Sequence, residues 1–425
     1  MRVAVIGSGL LGVTTAYFLR RHGLDVTVVE RQDGTALETS FANAGYLQMS
    51  VPSPWNAPGV GKLLLQSWLA GLRSGSEEAP LLMRTRALPG LVGWGLKFLA
   101  NANRKSYLSA TLKNLRLAAY TRDVMASLRE EEKLSYSAAF TGAIILFRSP
   151  ESLADYTELA EYIGERGAVF RSLDRDEVVD LEPALLPVAD QLLGGIHHPD
   201  DEAGDACAFC RQMASIAQER GVKFEYGATV KELRASRNGF DLFCDQGDLS
   251  ADAVVVAAGS YSGALTGPLG VNLPVAPVKG YSISIPMNGW QNRPKHVVGD
   301  MVLNAGINPL GDILRVAGTA EFTGYDLRIS DGRVRNLVSL VEQVFPDFAA
   351  TMNRSAINPW AGLRPMSVDG VPVVGATPVR NLFVNTGHGA LGWTHAAGSA
   401  KALADLIVGS KPGLDLGNYS IRRFD

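Results

Sequence analysis

Residues 1–30 read MRVAVIGSGLLGVTTAYFLRRHGLDVTVVE, and their reading decides the fold. Arg2 to Ile6 is a short apolar run rich in β-branched residues, which suits a buried parallel strand. It runs into Gly7-Ser8-Gly9-Leu10-Leu11-Gly12, a G-x-G-x-x-G turn. Val13 to His22 carries small and apolar residues at helical spacing, and Gly23 stops it. Leu24 to Val29 is a second strand, with Glu30 at its end. In such a unit Gly7 permits the tight turn, Gly9 lets the backbone approach a pyrophosphate, and Gly12 lets helix pack on strand. The helix N-terminus offers free N–H groups and a partial positive charge to phosphates. Glu30 can accept hydrogen bonds from both ribose hydroxyls of an adenosine and would repel a 2′-phosphate, which disfavours NADP. A lone glycine motif is weak, but here strand, turn, helix, strand and acid fall in order, which points to dinucleotide binding. The stretch does not by itself separate FAD from NAD.

The whole chain sets outer limits. Its 425 residues can bury large cores and suggest at least two domains. A net charge of -3 gives no basic footprint for nucleic acid. The first strand begins at residue 2, which argues against a cleaved secretory signal. No uninterrupted apolar run reaches the roughly eighteen residues that spanning a bilayer requires. The expected location is cytoplasmic, or peripheral on the inner face of the cell membrane. Cys207 and Cys210 form a C-x-x-C pair, but without a thioredoxin context or a second pair they read as core residues of a helix.

Outward from the opening unit, residues 36–46 form a loop of small and hydroxyl residues suited to close approach to a nucleotide, or to a polar connection between domains. Pro52, Pro54, Pro58 and Gly59 mark the chain leaving the nucleotide unit. From Val60 to Arg116 the acids are only Glu77 and Glu78, set among basic residues and two apolar, tryptophan-bearing stretches. Residues 60–105 are therefore candidates for lying on an anionic bilayer surface, or for a helical cover packed on the protein. The Glu130-Glu131-Glu132 run reads as a solvated face. Gly194 to Asp205 is a turn-rich return whose His197 and His198 match no metal-ligand spacing, so no metal is expected. Asp252 to Ser260 is an apolar strand opening onto a small-residue loop. Val278 to Pro286 and Leu314 to Tyr325 read as strands of a mixed β region. Near the end, Thr386-Gly387-His388-Gly389-Ala390-Leu391-Gly392-Trp393 is a second glycine-rich strand-to-helix loop.

Several blocks together, Ala36 to Gly45, Pro199 to Gly204, Gly259 to Ser262, Pro277 to Ile285, Gly362 to Gly375 and Asn385 to Thr394, resemble the bacterial FAD-dependent D-amino acid dehydrogenases of small-subunit type, within the glycine oxidase and D-amino acid oxidase superfamily. The resemblance implies an α/β fold: a Rossmann-like FAD-binding domain plus an α+β substrate domain with a mixed sheet. The expected division is 1–50, 200–273 and 360–425 for the FAD domain, and 51–199 and 274–359 for the substrate domain. By the same resemblance Gly7, Ser8, Gly9, Gly12, Glu30 and Arg31 would hold the adenosine and pyrophosphate. Ser40, Asn43, Ala44 and Gly45 would approach pyrophosphate or flavin, Val230 would offer backbone to the adenine, and Ala258 and Gly259 would line the dinucleotide. Gly387, His388, Gly389, Leu391, Gly392 and Trp393 would sit at the pyrimidine edge of the isoalloxazine.

An amino acid must present its Cα–H to the flavin, so its carboxylate needs a fixed anchor, and arginine supplies a planar bidentate fork. Arg364 is the position that relatives use; the competing reading is a structural salt bridge to Asp369. Tyr281 and Tyr325 are candidates for closing the carboxylate or amine pocket, or for packed sheet tyrosines. His388 is a candidate for a flavin hydrogen bond or for holding its own loop. The reaction implied is oxidative deamination of a D-amino acid, with electrons leaving to a quinone or other acceptor. A cyclic or N-substituted amino acid substrate, and a flavin-binding electron-transfer subunit without turnover of its own, stay open.

Overall fold

The computed structural model describes residues 1–74, 81–300 and 305–425. Strand Arg2–Ile6 is buried from its second residue on, and it pairs in parallel with Asp25–Val29 on one side and Ala253–Val256 on the other. Lys223–Glu225 extends the sheet beyond Asp25–Val29, while Leu382–Thr386 and then the antiparallel Val373–Ala376 extend the other edge. Burial on both faces explains why these strands read as continuous apolar runs. The first helix, Leu10–Arg21, starts three residues before the expected Val13. Gly9 is its N-cap in extended backbone, so the glycine turn already contains the first helical turn. This helix packs against Gly392–Ile407 and Ala206–Glu219. Cys207 and Cys210 lie inside that core as free thiols, and burial pushes both thiol pKa values up, which fits packing and not redox chemistry.

The second sheet runs in the order Asn358–Ser367, Val275–Pro286, Ile313–Phe322, Ala305–Leu310, Val297–Asp300, Ala143–Phe147, Gly194–His198, Arg171–Leu173, with Leu81–Met83 added alongside Ile313–Phe322. Two expectations need correction. Gly194–His198 is not a turn-rich return but an interior strand, paired with Ala143–Phe147 and Arg171–Leu173. Its two leading glycines mask the pattern: a Cβ on Gly194 would meet Leu173 O at 2.4 Å. Asn358–Ser367, grouped from residue 360 with the nucleotide unit, is the edge strand of this larger sheet. His198 is buried with Nε2 3.0 Å from the Tyr156 hydroxyl, and among the described residues no cluster fit to hold a metal forms.

Helix Arg104–Glu132 packs on the C-terminal helix Gly392–Ile407. Its last residue corrects the solvated-face reading of the glutamate run. Glu132 accepts from the Tyr17 hydroxyl and from Arg220 Nη2 at 2.5 Å, while Glu130 and Glu131 stay exposed. Helices Val60–Ser74 and Leu88–Ala100 roof the space between the sheets. Leu91 and Phe98 turn inward, and Leu65, Leu69, Val92, Leu96 and Leu99 are exposed. Glu77 and Glu78 lie outside the described residues. Among those described, no helix is long and apolar enough to cross a membrane.

Candidate active site

A cavity of about 940 Å³ runs between the two sheets, from Glu30 and Val230 at one end to Arg364 at the other. That is the upper end of the range for small-molecule sites. Gly7, Gly9, Ala258, Gly259 and Val230 line its nucleotide end. Gly12 is dictated by packing, since a Cβ there would sit 1.8 Å from Gly7 O. Glu30 Oε2 accepts from Ser8 N at 2.7 Å and Ser8 Oγ at 2.9 Å, and Oε1 accepts from Gln32 N at 2.9 Å. The carboxylate is thus fixed at the rim with lone pairs left over for a ligand. Arg31 lies beside it, its Nε donating to Glu38 Oε1 at 2.5 Å and its Cζ 3.8 Å from the Tyr261 ring centroid.

Ser40 Oγ accepts from Leu10 N at 3.1 Å, at the start of the first helix. Beyond it the loop crosses to the larger sheet and is stitched there carbonyl by carbonyl. Ser282 Oγ donates to Ala42 O at 2.5 Å, Arg315 Nη1 to Asn43 O at 2.8 Å, and Asn308 Nδ2 to Ala44 O at 3.1 Å. Asn43 Oδ1 in turn accepts from Gly45 N at 2.9 Å. Asn43 and Ala44 line the cavity, whereas Gly45 is sealed under Leu310, Asn308 and Gly204. Sequence reasoning missed Ser282, Asn308 and Arg315, because their partners lie some 240 to 270 residues away.

The other end is built on three strands. Trp360, Gly362 and Arg364 alternate along Asn358–Ser367 and therefore share one face. Gly362 faces Gly280 across the ladder. Neither has a Cβ, and the space is taken: a Cβ on Gly280 would lie 1.9 Å from Arg364 Nη1, and one on Gly362 would lie 2.0 Å from Trp360 Cη2. The Arg364 side chain lies over Val275–Pro286 and donates from Nη1 to Thr319 O at 3.2 Å on Ile313–Phe322. Its Cζ is 5.2 Å from the Trp55 ring centroid. Among the described residues it has no carboxylate partner; Asp369 is taken by Arg423, at 2.7 Å to Nε and 3.1 Å to Nη2. Burial alone depresses the guanidinium pKa, to about 10, so it stays charged at neutral pH.

Five remaining candidates, Tyr281, Tyr325, His388, Trp393 and Gly387, take structural positions. Tyr281 follows Gly280, so its side chain points to the opposite face, where it joins the core under helix Asp331–Val344. Its hydroxyl donates to Glu321 Oε2 at 2.6 Å. Tyr325 is half-exposed outside the cavity, its hydroxyl on Ser260 O at 3.0 Å and its ring against Tyr261. His388 lines the cavity wall; its buried ring has Nε2 3.3 Å from Ser399 Oγ, and burial holds its pKa well below the ordinary value. It holds its loop. Trp393 is a core side chain, packed on Tyr136 and Phe209 with Nε1 donating to Gly204 O at 3.2 Å. Gly387 does not line the cavity; His388 to Gly392 do. No side chain caps the N-terminus of helix Gly392–Ile407, so free N–H groups begin at the cavity wall. The open glycine turn, the fixed Glu30 rim and this uncapped helix end all suit a long, anionic dinucleotide.

The model of the FAD dependent oxidoreductase family matches residues 2–406. The chain belongs to that family. Its cofactor is accordingly FAD, and NAD is set aside. A D-amino acid dehydrogenase from Rhizobium rhizogenes is 40% identical over 425 residues, covering 100% of both chains. One from Vibrio vulnificus is 38% identical, covering 99% of this chain and 100% of the other. Glycine oxidase from Geobacillus kaustophilus superposes with a TM-score of 0.75 at 23% identity, over 99% of this chain and 98% of the other. L-proline dehydrogenase from P. horikoshii gives 0.75 at 18% identity, over 100% and 97%. These likenesses match the Rossmann-like nucleotide sheet and the mixed second sheet of the α/β fold.

Proposed function

We propose that this FAD-dependent oxidoreductase is a D-amino acid dehydrogenase. The observation that carries the reading is Arg364: a permanent cation without a carboxylate partner among the described residues, at the far end of the cavity from Glu30. A half-buried cation lacking an acid fits an anionic ligand, and a guanidinium fork suits a carboxylate. Full-length relatives at 40% identity that bear the dehydrogenase name support the substrate class.

In this reading Glu30 accepts from the adenosine ribose, Gly7 to Gly12 cradle the pyrophosphate, and Val230 meets the adenine. The uncapped N–H groups at the start of helix Gly392–Ile407 would hold the flavin end, where a helix N-terminus favours negative charge. FAD, when bound, would supply the hydride acceptor for the substrate Cα–H. Arg364 binds the substrate carboxylate and so fixes which hydrogen is presented. The roof residues Trp55, Leu64 and Phe98 exclude water. The imino acid then hydrolyses to a 2-oxo acid and ammonia. Electrons pass to a quinone or another acceptor and not rapidly to dioxygen. An anaerobic screen of D- and L-amino acids and imino acids, read by flavin bleaching, tests this. Bleaching by D-amino acids alone is the expected result; bleaching by L-amino acids alone, or by none, overturns it.

The acceptor bears on location. Outward-facing Leu65, Leu69, Val92 and Leu96 on the roof helices, with Lys62, Lys97, Arg104 and Lys105 nearby, support docking on an anionic membrane surface. Cosedimentation with anionic lipid vesicles that survives Leu65→Glu with Leu96→Glu would sink this part of the reading.

A further inference from the structure

The anchor cation needs its own support. An arginine side chain has several rotatable bonds, and an untethered guanidinium in a roomy cavity loses much of its orienting power. Three features converge on Arg364. Gly280 lies directly beneath it, with the guanidinium filling the Cβ position to within 1.9 Å at Nη1, 2.2 Å at Cζ and 2.5 Å at Nη2. Thr319 accepts from Nη1 through its backbone carbonyl. Trp55 covers the group at 5.2 Å.

Thr319 reaches that position by breaking the strand pattern. The ladder between Val275–Pro286 and Ile313–Phe322 shifts register between Lys279 and Tyr281, which pair with Glu321 and Gly318. Gly280 therefore opposes two residues, Thr319 and Ala320, in a β-bulge. Thr319 sits in the left-handed region at φ +59, uncommon for a β-branched residue and costing about 1–3 kcal/mol. Its Oγ1 is buried without a hydrogen-bond partner. Among the described residues, its carbonyl makes a contact with Arg364 Nη1 at 3.2 Å.

We propose that Gly280 and the Thr319 bulge are positioning residues that hold the Arg364 guanidinium flat and turn one Nη inward, leaving the other nitrogens for the substrate carboxylate. The proposal rests on the reading of Arg364 as the carboxylate anchor. A Cβ at Gly280 displaces the far end of a flexible side chain and not backbone, so Gly280→Ala is compatible with the fold. Deleting Thr319 removes the extra bulge residue and restores a regular ladder, with Gly280 opposite Ala320.

The experiment is a double-mutant cycle on the FAD-loaded enzyme: wild type, Gly280→Ala, Arg364→Ala and the double variant. KM and kcat are measured for a D-amino acid, and affinities for acetate and for acetamide are read from perturbation of the flavin spectrum. Gly280→Ala is expected to raise KM and weaken acetate about tenfold to a hundredfold. Acetamide affinity, FAD content and Tm stay near wild type. In the Arg364→Ala background Gly280→Ala adds nothing. Deleting Thr319 reproduces the acetate loss. A Gly280→Ala enzyme with unchanged KM, or one whose loss persists in the Arg364→Ala background, overturns the proposal. If Arg364→Ala itself leaves KM and acetate binding unchanged, the carboxylate-anchor reading fails first, and the two failures are told apart.

Discussion

The two faces of strand Val275–Pro286 handle buried charge in opposite ways. On one face Glu321 is 2% exposed and saturated: Arg84 Nε donates at 2.6 Å, Lys279 Nζ at 2.9 Å and the Tyr281 hydroxyl at 2.6 Å. Burial would raise its pKa, but the hydrogen bonds from Tyr281, Arg84 and Lys279 outweigh it and keep the carboxylate ionised. On the other face Arg364 has a carbonyl, a ring and a glycine, and no acid among the described residues. A closed network holds strands together. A cation left open beside a cavity is suited to a ligand that brings the missing charge.

The contrast is broken most forcefully from the closed side. Glu321→Ala strands the buried Lys279 ammonium, and removing one partner of a buried pair costs about 3–5 kcal/mol. Chemical denaturation checks this, and FAD-loaded enzyme that still folds should keep its KM within about twofold. Arg364→Ala has the inverse signature. The fold loses no ion pair, so Tm holds, while kcat/KM for a D-amino acid falls by about a hundredfold, equivalent to roughly 3 kcal/mol of lost charge-assisted hydrogen bonding. If both variants lost stability and neither lost substrate affinity, the two faces would not differ in kind.

Buried groups that can discard their charge show a third outcome. His395 is fully buried in the C-terminal helix, and desolvation pushes its pKa down to about 3. An arginine cannot take that route at neutral pH; a histidine can. In the unfolded chain the ring binds its proton near pH 6.5. As pH falls below that value, the unfolded state takes up a proton that the folded state refuses, and stability drops. By pH 4.5 the loss is roughly 2–3 kcal/mol at about 1.4 kcal/mol per unit. His395→Asn should flatten the Tm-against-pH curve between pH 6.5 and 4.5. An unchanged slope would assign the acid limb to other groups.

What could be read from the chain alone follows the same division. The nucleotide end is contiguous: strand, glycine turn, helix and Glu30 fall within thirty residues, and each residue type has a local reason. The fold class and FAD were legible there and in the Gly387 to Gly392 loop. Arg364 was legible as a cation only. Its isolation from Asp369 depends on Arg423, in the last turns of the chain, and its cradle on Gly280 and Thr319, two strands away. Of the two readings of Tyr281, the packed-sheet one describes where its ring lies, for a simple reason: strand parity turns it toward the core under helix Asp331–Val344, and the register that fixes parity is a tertiary fact. Gly194–His198 failed because glycines in a tightly paired strand look like turn residues.

The smallest effect is the most discriminating between the two readings of Arg364. Asp369→Asn would raise KM if Asp369 held the guanidinium in place. The geometry says otherwise: Asp369 forms a two-point fork with Arg423, and Arg423 also donates to Val371 O at 2.7 Å. The pair ties the C-terminal turn to the loop after Asn358–Ser367, half-screened by solvent at 12% and 16% side-chain exposure. Its loss should cost on the order of 1 kcal/mol, seen as a Tm drop of about 1 °C in a chain of this size. KM and the acetate titration should not move. A rise in KM with Asp369→Asn, matched by Arg423→Ala, would mean that the C-terminal turn reaches the anchor through the strand, and that Arg364 is less independent of its neighbours than its own contacts suggest.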